Sequence, residues 1–424
     1  MAHEVQSKRL ADAVKIDRFR SVPAKPMHII YLFTTFPKAS ETFLQREVEA
    51  MMTRGHQLTV YSLFGGGGEF QGLRVKKFSM WKLLQLIWVI PWVAFSRWDV
   101  FGIIWRGLWT RKAPSWLNFW ENMLGAGFAG IFLPAIRRDN PDLIHAAWGG
   151  APATAAWMLH RLAGYKFSAA AHAYDIYEHG GDWWLDEKLA EAEFIHTSTE
   201  MGRKTLIERG IDAALIHVVR RGMVEFPACR ELREDRSTIH LVCIARLVPK
   251  KGFDHQMKIY AVLREAGVLF ETRIVGEGPE RARIEQDIAA KDLGGIVTLL
   301  GELSQPEVVS QLAWADGLLH TGIVASSGDR DGLPNVIPEA MIAGVVVFTS
   351  PHAATTEAIE NGTSGWVLPV EAPSRWVEAI TSLQGETNPL EEIRLAARNW
   401  AEKNYNGVQN AQKLSELFEA AVQR

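Results

Sequence analysis

The stretch DGLPNVIPEAMIAGVVVFTS, residues 331–350, decides the fold of this 424-residue chain. Two carboxylates, Asp331 and Glu339, are separated by seven residues, and after them an apolar helical pattern leads through a glycine into an apolar strand pattern. Spacing alone is weak evidence, because 49 acidic residues give roughly six such pairs by chance. The order of loop, helix and strand is typical of a parallel α/β sheet.

Pro338 constrains where the helix of this stretch begins. Proline is tolerated only in the first turn of a helix. With Asn335 as N-cap, Pro338 takes the third helical position and removes no backbone hydrogen bond. Glu339 then lies just inside the helix and Asp331 lies in the loop before it, so we expect both carboxylates to face one crevice.

Apolar runs that match buried strands recur along the chain and alternate with helical patterns. We predict strands in MHIIYLF, HQLTVYSLF, DLIHAAW, KFSAAAHAY, FIHTST, IHVVRRG, IHLVCIARL, FETRIVG, IVTLLG, GLLHTG, VVVFTS and GWVLP. The alternation indicates parallel sheets with crossover helices, and its restart after the polar segment 225–237 indicates two doubly wound units. We expect an extension over residues 1–26, a first domain over 27–224, a second over 225–404, and a C-terminal helix, about 405–424, that packs on the first domain.

Composition limits the classes of protein to consider. A chain of 424 residues is longer than a single hydrophobic core normally supports, so we expect two domains. The formal net charge of −3 shows no basic excess, so we expect no nucleic-acid partner. Two cysteines exclude a disulfide framework and fit a reducing compartment. The first residues lack the continuous apolar core of a signal peptide, and we expect a cytoplasmic protein.

In doubly wound sheets, ligands bind beyond the carboxyl ends of the strands, so the loops after strands are the candidate sites. The loop ARLVPKKG, residues 245–252, carries Arg246, Lys250 and Lys251 just before a helix. Because a helix N-terminus adds partial positive charge, this loop can bind a diphosphate. The alternative is a solvated basic turn.

Two further loops are weaker signals by themselves. The glycines of VGEGPE, residues 275–280, allow the backbone to approach a ligand before a helix that begins at Pro279. LLGELSQPEV, residues 299–308, has the pattern of an ordinary strand end with Ser304 as helix N-cap.

Together and in this order, these segments resemble the retaining, nucleotide-sugar-dependent glycosyltransferases of family 4. Those enzymes have the GT-B fold, in which two Rossmann-like doubly wound domains face each other across a cleft. The resemblance covers nearly the whole chain after residue 26. It implies transfer of a sugar from a nucleoside diphosphate sugar to an acceptor hydroxyl with retention. The implied donor-binding residues are Arg246, Lys251, Glu277, Gly278, Leu303, Gly332, Leu333, Pro334 and Glu339.

The resemblance also implies individual roles. The first carboxylate of the signature, Asp331, faces the donor sugar, and Glu339 holds the ribose. His172, in AAHAYDIY, resembles the histidine that touches the donor sugar, and we therefore take His172 and Asp331 as catalytic; a lone histidine at a strand end is otherwise more often structural. Two departures stand out. Asp331 replaces the usual glutamate, and HTG at residues 320–322 replaces a common Pro-Ser pair.

The N-terminal half carries a second resemblance. TTFPKASETFLQREVEAM, residues 34–51, is similar to the Ser-Glu-Thr-Phe version of the family found in exopolysaccharide and cell-surface glycan enzymes. It implies an acceptor or phosphate loop at Ser40 and Glu41. The alternative is that Ser40 is an N-cap and Glu41 a first-turn acid that complements the helix dipole.

We expect no metal and no other cofactor. Arg246, Lys251 and helix N-termini can neutralise the leaving diphosphate. The DRD spacing at residues 329–331 lies inside the signature loop, where a metal site is improbable. The acceptor would be a glycan or a lipid-linked sugar in exopolysaccharide, lipopolysaccharide or glycolipid assembly in a bacterium. Rival interpretations are another GT-B enzyme, such as a sugar-nucleotide epimerase or phosphorylase, or a non-catalytic glycan-binding relative.

Residues 81–120 hold eight of the sixteen tryptophans. Five of them recur at intervals of seven and four residues and would share a helix face, with a break at Pro114. The longest low-charge run, 83–95, is shorter than the roughly 20 residues that span a bilayer. With basic neighbours that include Arg106, Arg111 and Lys112, the segment predicts peripheral binding to the inner face of the plasma membrane. The alternative is a set of core helices.

Overall fold

The structure is a computed structural model that describes residues 25–38, 41–110 and 113–424. The chain forms two compact units, Met1–Val224 together with Gly407–Arg424, and Glu225–Asn406. Each unit has its own sheet and its own hydrophobic core.

The first unit contains an eight-stranded sheet in the order β3-β4-β2-β1-β5-β6-β7-β8. Its strands are β1 (His28–Phe33), β2 (Gln57–Ser62), β3 (Glu69–Phe70), β4 (Leu73–Lys77), β5 (Leu143–Ala146), β6 (Phe167–Ala170), β7 (Ile195–Thr197) and β8 (Ile216–Val218). All six predicted strands of this half are confirmed. The sheet is parallel, as predicted, except at its edge, where β3 pairs antiparallel with β4. The two strands meet at Gln71 and Gly72, whose positive φ values of 48° and 81° make a tight hairpin turn.

Helices cover this sheet. They are α1 (Thr42–Thr53), α2 (Leu86–Ser96), α3 (Trp98–Thr110), α4 (Trp116–Asp139), α5 (Ala151–Ala163), α6 (Tyr174–Tyr177), α7 (Leu185–Ala190), α8 (Glu200–Glu208) and, from the end of the chain, α15 (Gly407–Gln423). α15 buries Leu414 and Phe418, and the Nε2 of His56 lies 2.9 Å from the hydroxyl of Ser415. The last helix therefore completes the core of the first unit.

The second unit contains a six-stranded sheet in the order β11-β10-β9-β12-β13-β14, parallel throughout. Its strands are β9 (Ile239–Ile244), β10 (Phe270–Val275), β11 (Val297–Gly301), β12 (Gly317–His320), β13 (Val346–Thr349) and β14 (Trp366–Val367). All six were predicted. The strand order reverses between β9 and β12, and this switch point is where doubly wound sheets bind ligands.

The helices of the second unit are α9 (Phe253–Glu265), α10 (Arg281–Ala290), α11 (Gln305–Trp314), α12 (Val336–Ala343), α13 (Pro373–Thr381) and α14 (Thr387–Asn404). Pro338 is the third residue of α12, as predicted, but the side chain of Asn335 makes no capping hydrogen bond. α10 begins at Arg281 and not at Pro279. Ser304 caps α11 as expected, and its amide and hydroxyl both donate to Glu307.

The Trp-rich segment, residues 81–120, forms the end of a 3-10 helix (Met80–Gln85), α2, α3 and the start of α4. All eight of its tryptophan side chains are exposed, by 42% to 82%. The rings therefore lie outside the core, whereas other side chains of α2 and α3, such as Val93 and Val100, pack into it. Pro114 separates α3 from α4, as predicted.

Two stretches here pass a length and composition test for crossing a membrane. One is α4, half of whose apolar window is buried, and the other is the pair Met80–Ser96 and Trp98–Trp109, which is bent by 109°. The low-charge run 83–95 forms only part of the second stretch.

Candidate active site

The loop that follows β9 is anchored against the end of β12. Gly252 has a φ of 65°, and a Cβ atom there would lie 2.1 Å from the carbonyl oxygen of Thr321, so only glycine fits. The Thr321 hydroxyl donates to the carbonyl of Lys251 at 3.0 Å, and the amide of Ile323 donates to the carbonyl of Lys250 at 2.8 Å. Both lysines are thereby held at the carboxyl ends of two adjacent strands.

Asp331 lies at the centre of a cluster of charged side chains. The Nζ of Lys251 is 2.5 Å from its Oδ2. The Nζ of Lys250 is 3.5 Å from its Oδ1 and 3.0 Å from the carboxylate of Asp329. The Nε2 of His320 lies 3.4 Å from Oδ2 of Asp331. Each side chain is less than one fifth exposed, so these charges are largely shielded from water.

The neighbours of Asp331 determine its protonation state. Burial acts to raise the pKa of this carboxyl, but Lys251, His320 and Lys250 outweigh it and hold the pKa well below its usual value. Burial lowers the pKa of His320, and Asp331 offsets part of that shift. At neutral pH the site therefore holds a carboxylate beside a neutral imidazole.

The loops after β9 and β10 pack against each other. Cβ atoms at Gly276 and Gly278 would lie 2.0 Å and 2.3 Å from the carbonyl oxygens of Ala245 and Leu247, and the amide of Leu247 donates to the carbonyl of Glu277 at 2.9 Å. We expected these glycines to make room for a ligand. The space beside them is taken by the neighbouring loop, so both glycines are needed for the close packing of the loops that follow β9 and β10.

The other predicted donor-binding residues also lie in the second unit. Arg246 and Glu277 have exposed side chains, and Leu333 is buried. Glu339 lies in the first turn of α12 and is partly buried. The remaining residues lie in the loops after β10, β11 and β12, and they are Gly278, Leu303, Gly332 and Pro334.

Possible metal ligands lie elsewhere. The carboxylates of residues 329 and 331 each contact a lysine. In the part of the chain that the structure describes, the group of side chains with suitable spacing is Glu47, His145 and His196 of the first unit. The Nε2 of His145 is 3.8 Å from Glu47 and 3.4 Å from the Nε2 of His196.

In the first unit, His172 follows β6 and is almost fully buried. Its ring makes edge-on contacts with Trp148, Phe43 and His196, at centroid distances of 5.6, 6.4 and 5.2 Å. Burial, assisted by Arg221 and His196, lowers its pKa well below the usual value. Within the described residues its Nδ1 has no hydrogen-bond partner. His172 is thus a neutral imidazole in an aromatic setting.

Asp175 positions the backbone around His172, and sequence reasoning missed it. Its carboxylate accepts from the amides of His172 at 3.0 Å, Ala173 at 2.8 Å and Gly149 at 3.0 Å. The available signal was an aspartate three residues after the histidine, in HAYD. Short polar side chains often bond to nearby amides in this way.

The predicted acceptor loop borders a cavity of about 220 Å³ in the first unit. Ser40 lies outside the described residues. Glu41 lines the cavity and pairs with Lys38 at 2.9 Å. Glu121 also lines it, and burial, reinforced by Asp182 and Glu178, raises its pKa to about 7. Sequence reasoning gave Glu121 no role.

Comparison with known proteins defines the class. The model of Glycosyltransferase Family 4 matches residues 40–224, and the model of Glycosyl transferases group 1 matches residues 230–400. The two matches fall one in each unit and together cover most of the chain. The protein is therefore a glycosyltransferase. It belongs to the glycosyltransferases that combine a Family 4 domain with a group 1 domain.

Relatives and solved structures agree with this assignment. The chain is 27% identical to the amylovoran biosynthesis glycosyltransferase AmsK of Erwinia amylovora, over 93% of this chain and 99% of that protein. It is 24% identical to the putative colanic acid biosynthesis glycosyltransferase WcaL of Escherichia coli K12, over 93% and 100%.

Among solved structures, Anabaena Alr3699/HepE in complex with UDP-glucose aligns with a TM-score of 0.68 at 17% identity, over 93% of this chain and 100% of that chain. A glycosyltransferase from Rickettsia africae aligns with a TM-score of 0.69 at 14% identity, over 94% and 100%. The expected GT-B fold is confirmed.

Proposed function

We propose that this glycosyltransferase transfers a sugar from a nucleoside diphosphate sugar to an acceptor hydroxyl, with retention, in the assembly of exopolysaccharide, lipopolysaccharide or glycolipid. The observation that carries the proposal is the Lys251–Asp331 pair at the switch point of the second sheet. The names of AmsK and WcaL support a role in exopolysaccharide assembly. The complex of HepE with UDP-glucose supports a nucleotide-sugar donor.

The charges of the second unit suit a diphosphate leaving group. A departing nucleoside diphosphate carries at least two negative charges that the site must stabilise. Lys251 and the exposed Arg246 lie in the loop before α9 and supply positive charge there. In this proposal Asp331 faces the sugar and Glu339 the ribose. Lys251 then exchanges its present partner, Asp331, for phosphate oxygens when the donor binds.

We propose that transfer needs no metal. The two carboxylates with Asp-x-Asp spacing, Asp329 and Asp331, are each in ion-pair contact with a lysine. Lysine and arginine would thus supply the positive charge that a divalent ion supplies in other transferases.

The Trp-rich segment is proposed to bind the inner face of the plasma membrane, so that the acceptor is a lipid-linked sugar. Its exposed rings form an apolar face that monomeric soluble proteins rarely leave uncovered. α2, α3 and α4 also enclose an apolar cavity of about 330 Å³. Arg106 is exposed beside the rings, whereas Arg97 is held by Asp99 and by the carbonyl of Leu162. Arg111 and Lys112 lie outside the described residues.

A panel of nucleoside diphosphates and their sugars, read by thermal unfolding, tests the donor assignment. A ligand at 100 times its Kd stabilises the folded state by about 2.7 kcal/mol. We expect one nucleotide series, with UDP-glucose and GDP-mannose as the first members to test, to raise the Tm. Release of free nucleoside diphosphate together with a lengthened acceptor would complete the proof. A flat response across the whole panel would contradict the proposal.

A further inference from the structure

The HTG segment and Asp331, the two departures noted in the sequence, meet in the second unit. His320 is the last residue of β12, and Asp331 lies in the loop that follows this strand. They are eleven positions apart in the sequence, yet the Nε2 of His320 lies 3.4 Å from the Oδ2 of Asp331. Because the two side chains face each other and are mostly shielded from water, their contact indicates a shared role.

The residues around His320 are shaped to hold its ring. The side chain is almost fully buried, and its Nδ1 lies 3.2 Å from the hydroxyl of Thr349. A Cβ atom at Gly322 would come within 2.6 Å of the Cε1 of His320, so the glycine of the HTG motif makes space for the imidazole. The Ser350 hydroxyl donates to the carbonyl of Gly322 and fixes that turn.

These contacts indicate where the proton of His320 lies. The Thr349 hydroxyl lies 3.2 Å from the Nδ1 of His320 and 3.4 Å from the carbonyl oxygen of Ser350. Donation to the nearer acceptor, Nδ1, places the proton of the neutral ring on Nε2, where it faces Asp331. The charged groups near this nitrogen are Asp331, Lys251 and Lys250. Within the described residues, Nε2 is buried and makes no well-formed hydrogen bond. A buried hydrogen-bond donor without an acceptor lowers the stability of the folded state, and a new hydrogen bond to an acceptor restores it.

Lys251 and His320 approach the same oxygen of Asp331. The Nζ of Lys251 lies 2.5 Å from Oδ2, whereas the Nε2 of His320 is 3.4 Å from that atom. When a diphosphate draws Lys251 away, Asp331 becomes a poorly solvated carboxylate without its main cation, which is costly. A shift of about 0.5 Å would bring Nε2 and Oδ2 to hydrogen-bond distance.

We propose that His320 is a positioning residue for the donor sugar: it takes over Asp331 from Lys251 when the diphosphate binds, and it holds this short carboxylate against the sugar. The inference rests on the proposed function, because it requires Lys251 to bind the diphosphate. It also gives a role to the buried imidazole that faces Asp331. A side chain shorter by one methylene needs a neighbour that fixes it, and the imidazole of His320 is placed to do so.

The first test compares His320→Gln, which keeps an N–H donor, with His320→Leu, which removes it at similar volume. Binding of UDP and of UDP-glucose is measured by calorimetry, and turnover by release of UDP. We expect His320→Leu to bind UDP within about twofold of wild type while its turnover of UDP-glucose falls roughly 10- to 100-fold, the effect of a hydrogen bond to a charged group. His320→Gln should recover most of the loss. A purely structural role would weaken binding of UDP and UDP-glucose alike.

A double-mutant cycle with Asp331→Asn tests whether the histidine acts through this carboxylate. In the Asp331→Asn background, His320→Leu should cost less than about threefold further, because the charge that it positions is gone. Full additivity of the two losses, or wild-type turnover in His320→Leu, would overturn the inference.

Failure of the proposed function gives a different pattern. If wild type and Lys251→Ala bind UDP, UDP-glucose and GDP-mannose equally weakly, the donor site itself is wrong, and the inference falls with it. If Lys251→Ala loses UDP binding while His320→Leu behaves as wild type, only the role of His320 is wrong.

Discussion

Lys251→Ala and Arg246→Ala should differ in their effect on stability, although both residues are proposed to bind the diphosphate. Lys251 is paired with Asp331, whose side chain is only 15% exposed, so Lys251→Ala should lower the free energy of unfolding by about 3 kcal/mol as well as abolish turnover. Arg246 is exposed, and Arg246→Ala should change stability by less than about 0.5 kcal/mol while turnover falls roughly 100-fold or more.

Arg264→Ala is the matched control for Arg246→Ala. Arg264 is bound to Asp292 on the surface of the same unit and lies at the far end of α9 from the proposed diphosphate site. Its loss should leave turnover unchanged. Wild-type turnover in Arg246→Ala and Lys251→Ala would remove the diphosphate assignment.

Substitutions at the three other proposed site residues should change different quantities, either nucleotide affinity or kcat. Glu339→Gln should weaken nucleotide binding, because a ribose contact is made equally in the ground state and the transition state. Asp331→Asn and His172→Ala should mainly lower kcat, because each of these residues is proposed to contact the sugar that reacts. Calorimetry with UDP and steady-state kinetics distinguish the two outcomes, and an equal loss of UDP affinity in all three variants would refute this division of roles.

Glu121 should make stability depend on pH. Its pKa in the folded protein is raised to about 7, whereas an unperturbed glutamate has a pKa of about 4.3. The folded state therefore keeps a proton that the unfolded state loses, and stability falls as the pH rises through this interval. Below pH 4 the carboxyl is mostly neutral in both states, so it does not change the free energy of unfolding. Above pH 8 it is ionised in both states, and the folded state then bears the full free-energy cost of a charge at this site.

Glu121→Gln should remove this penalty. Urea unfolding of wild type and variant should give similar stabilities near pH 4.5, and the variant should gain an advantage that grows up to about pH 7 and then levels off. Glu416→Gln in α15 is a control on a surface carboxylate that pairs with Gln412. A constant difference between Glu121→Gln and wild type at every pH would show that the pKa of Glu121 is ordinary.

Secondary-structure elements were predictable where burial leaves a clear pattern. The twelve predicted strands were found because a strand buried on both faces is a continuous apolar run. The β3–β4 hairpin was missed because β3 has only two residues, too few to show any period. The start of α10 was misplaced because proline at the first helical position is a preference and not a rule.

The candidate site was predictable only in part, because sequence patterns report local structure and not contacts between segments. A strand end or a helix start can be located from local patterns, so Lys251 and Asp331 could be named from sequence. The contact of His320 with Asp331 depends on how the loop after β12 folds back on the end of that strand, and the spacing of residues in the chain carries no such information. The need for Gly276 likewise lies in its neighbour, Ala245. Whether the named residues bind donor stays a prediction.

The helices α2 to α4 should bind anionic membranes. Sedimentation with vesicles of phosphatidylglycerol and phosphatidylethanolamine at low salt measures this directly. Trp105→Ala with Trp109→Ala should weaken binding by at least about tenfold, because both rings are more than half exposed and would lose apolar contact with lipid. Charge reversal of Arg106, Arg111 and Lys112 should weaken it further.

Leu269→Ala with Leu395→Ala is the control for the tryptophan pair. Both leucines are similarly exposed but lie in the second unit, so their removal should not affect vesicle binding. Wild-type protein that remains in the supernatant, or undiminished binding after the Trp and charge changes, would show that this surface is not the anchor.

For the molecule as a whole, turnover should persist in excess EDTA, because lysine and arginine are proposed to replace a metal at the donor site. Release of UDP from UDP-glucose is measured after dialysis against EDTA, with and without added magnesium or manganese. The Glu47→Gln variant should behave as wild type in this assay, since that side chain belongs to the first unit. Complete loss in EDTA that magnesium or manganese restores would contradict the proposal.

The contribution of α15 to the first unit has a consequence for synthesis on the ribosome. The first unit lacks its last helix until residues 407–423 are made, and the intervening segment, 225–406, is 182 residues long (406 − 225 + 1). At 5–20 residues per second, translation of that segment takes about 9–36 s. During this time the nascent first unit exposes the surface that Phe418 will cover, so it is open to chaperones until α15 has been made. A ribosome that stalls within residues 225–406 leaves neither unit finished.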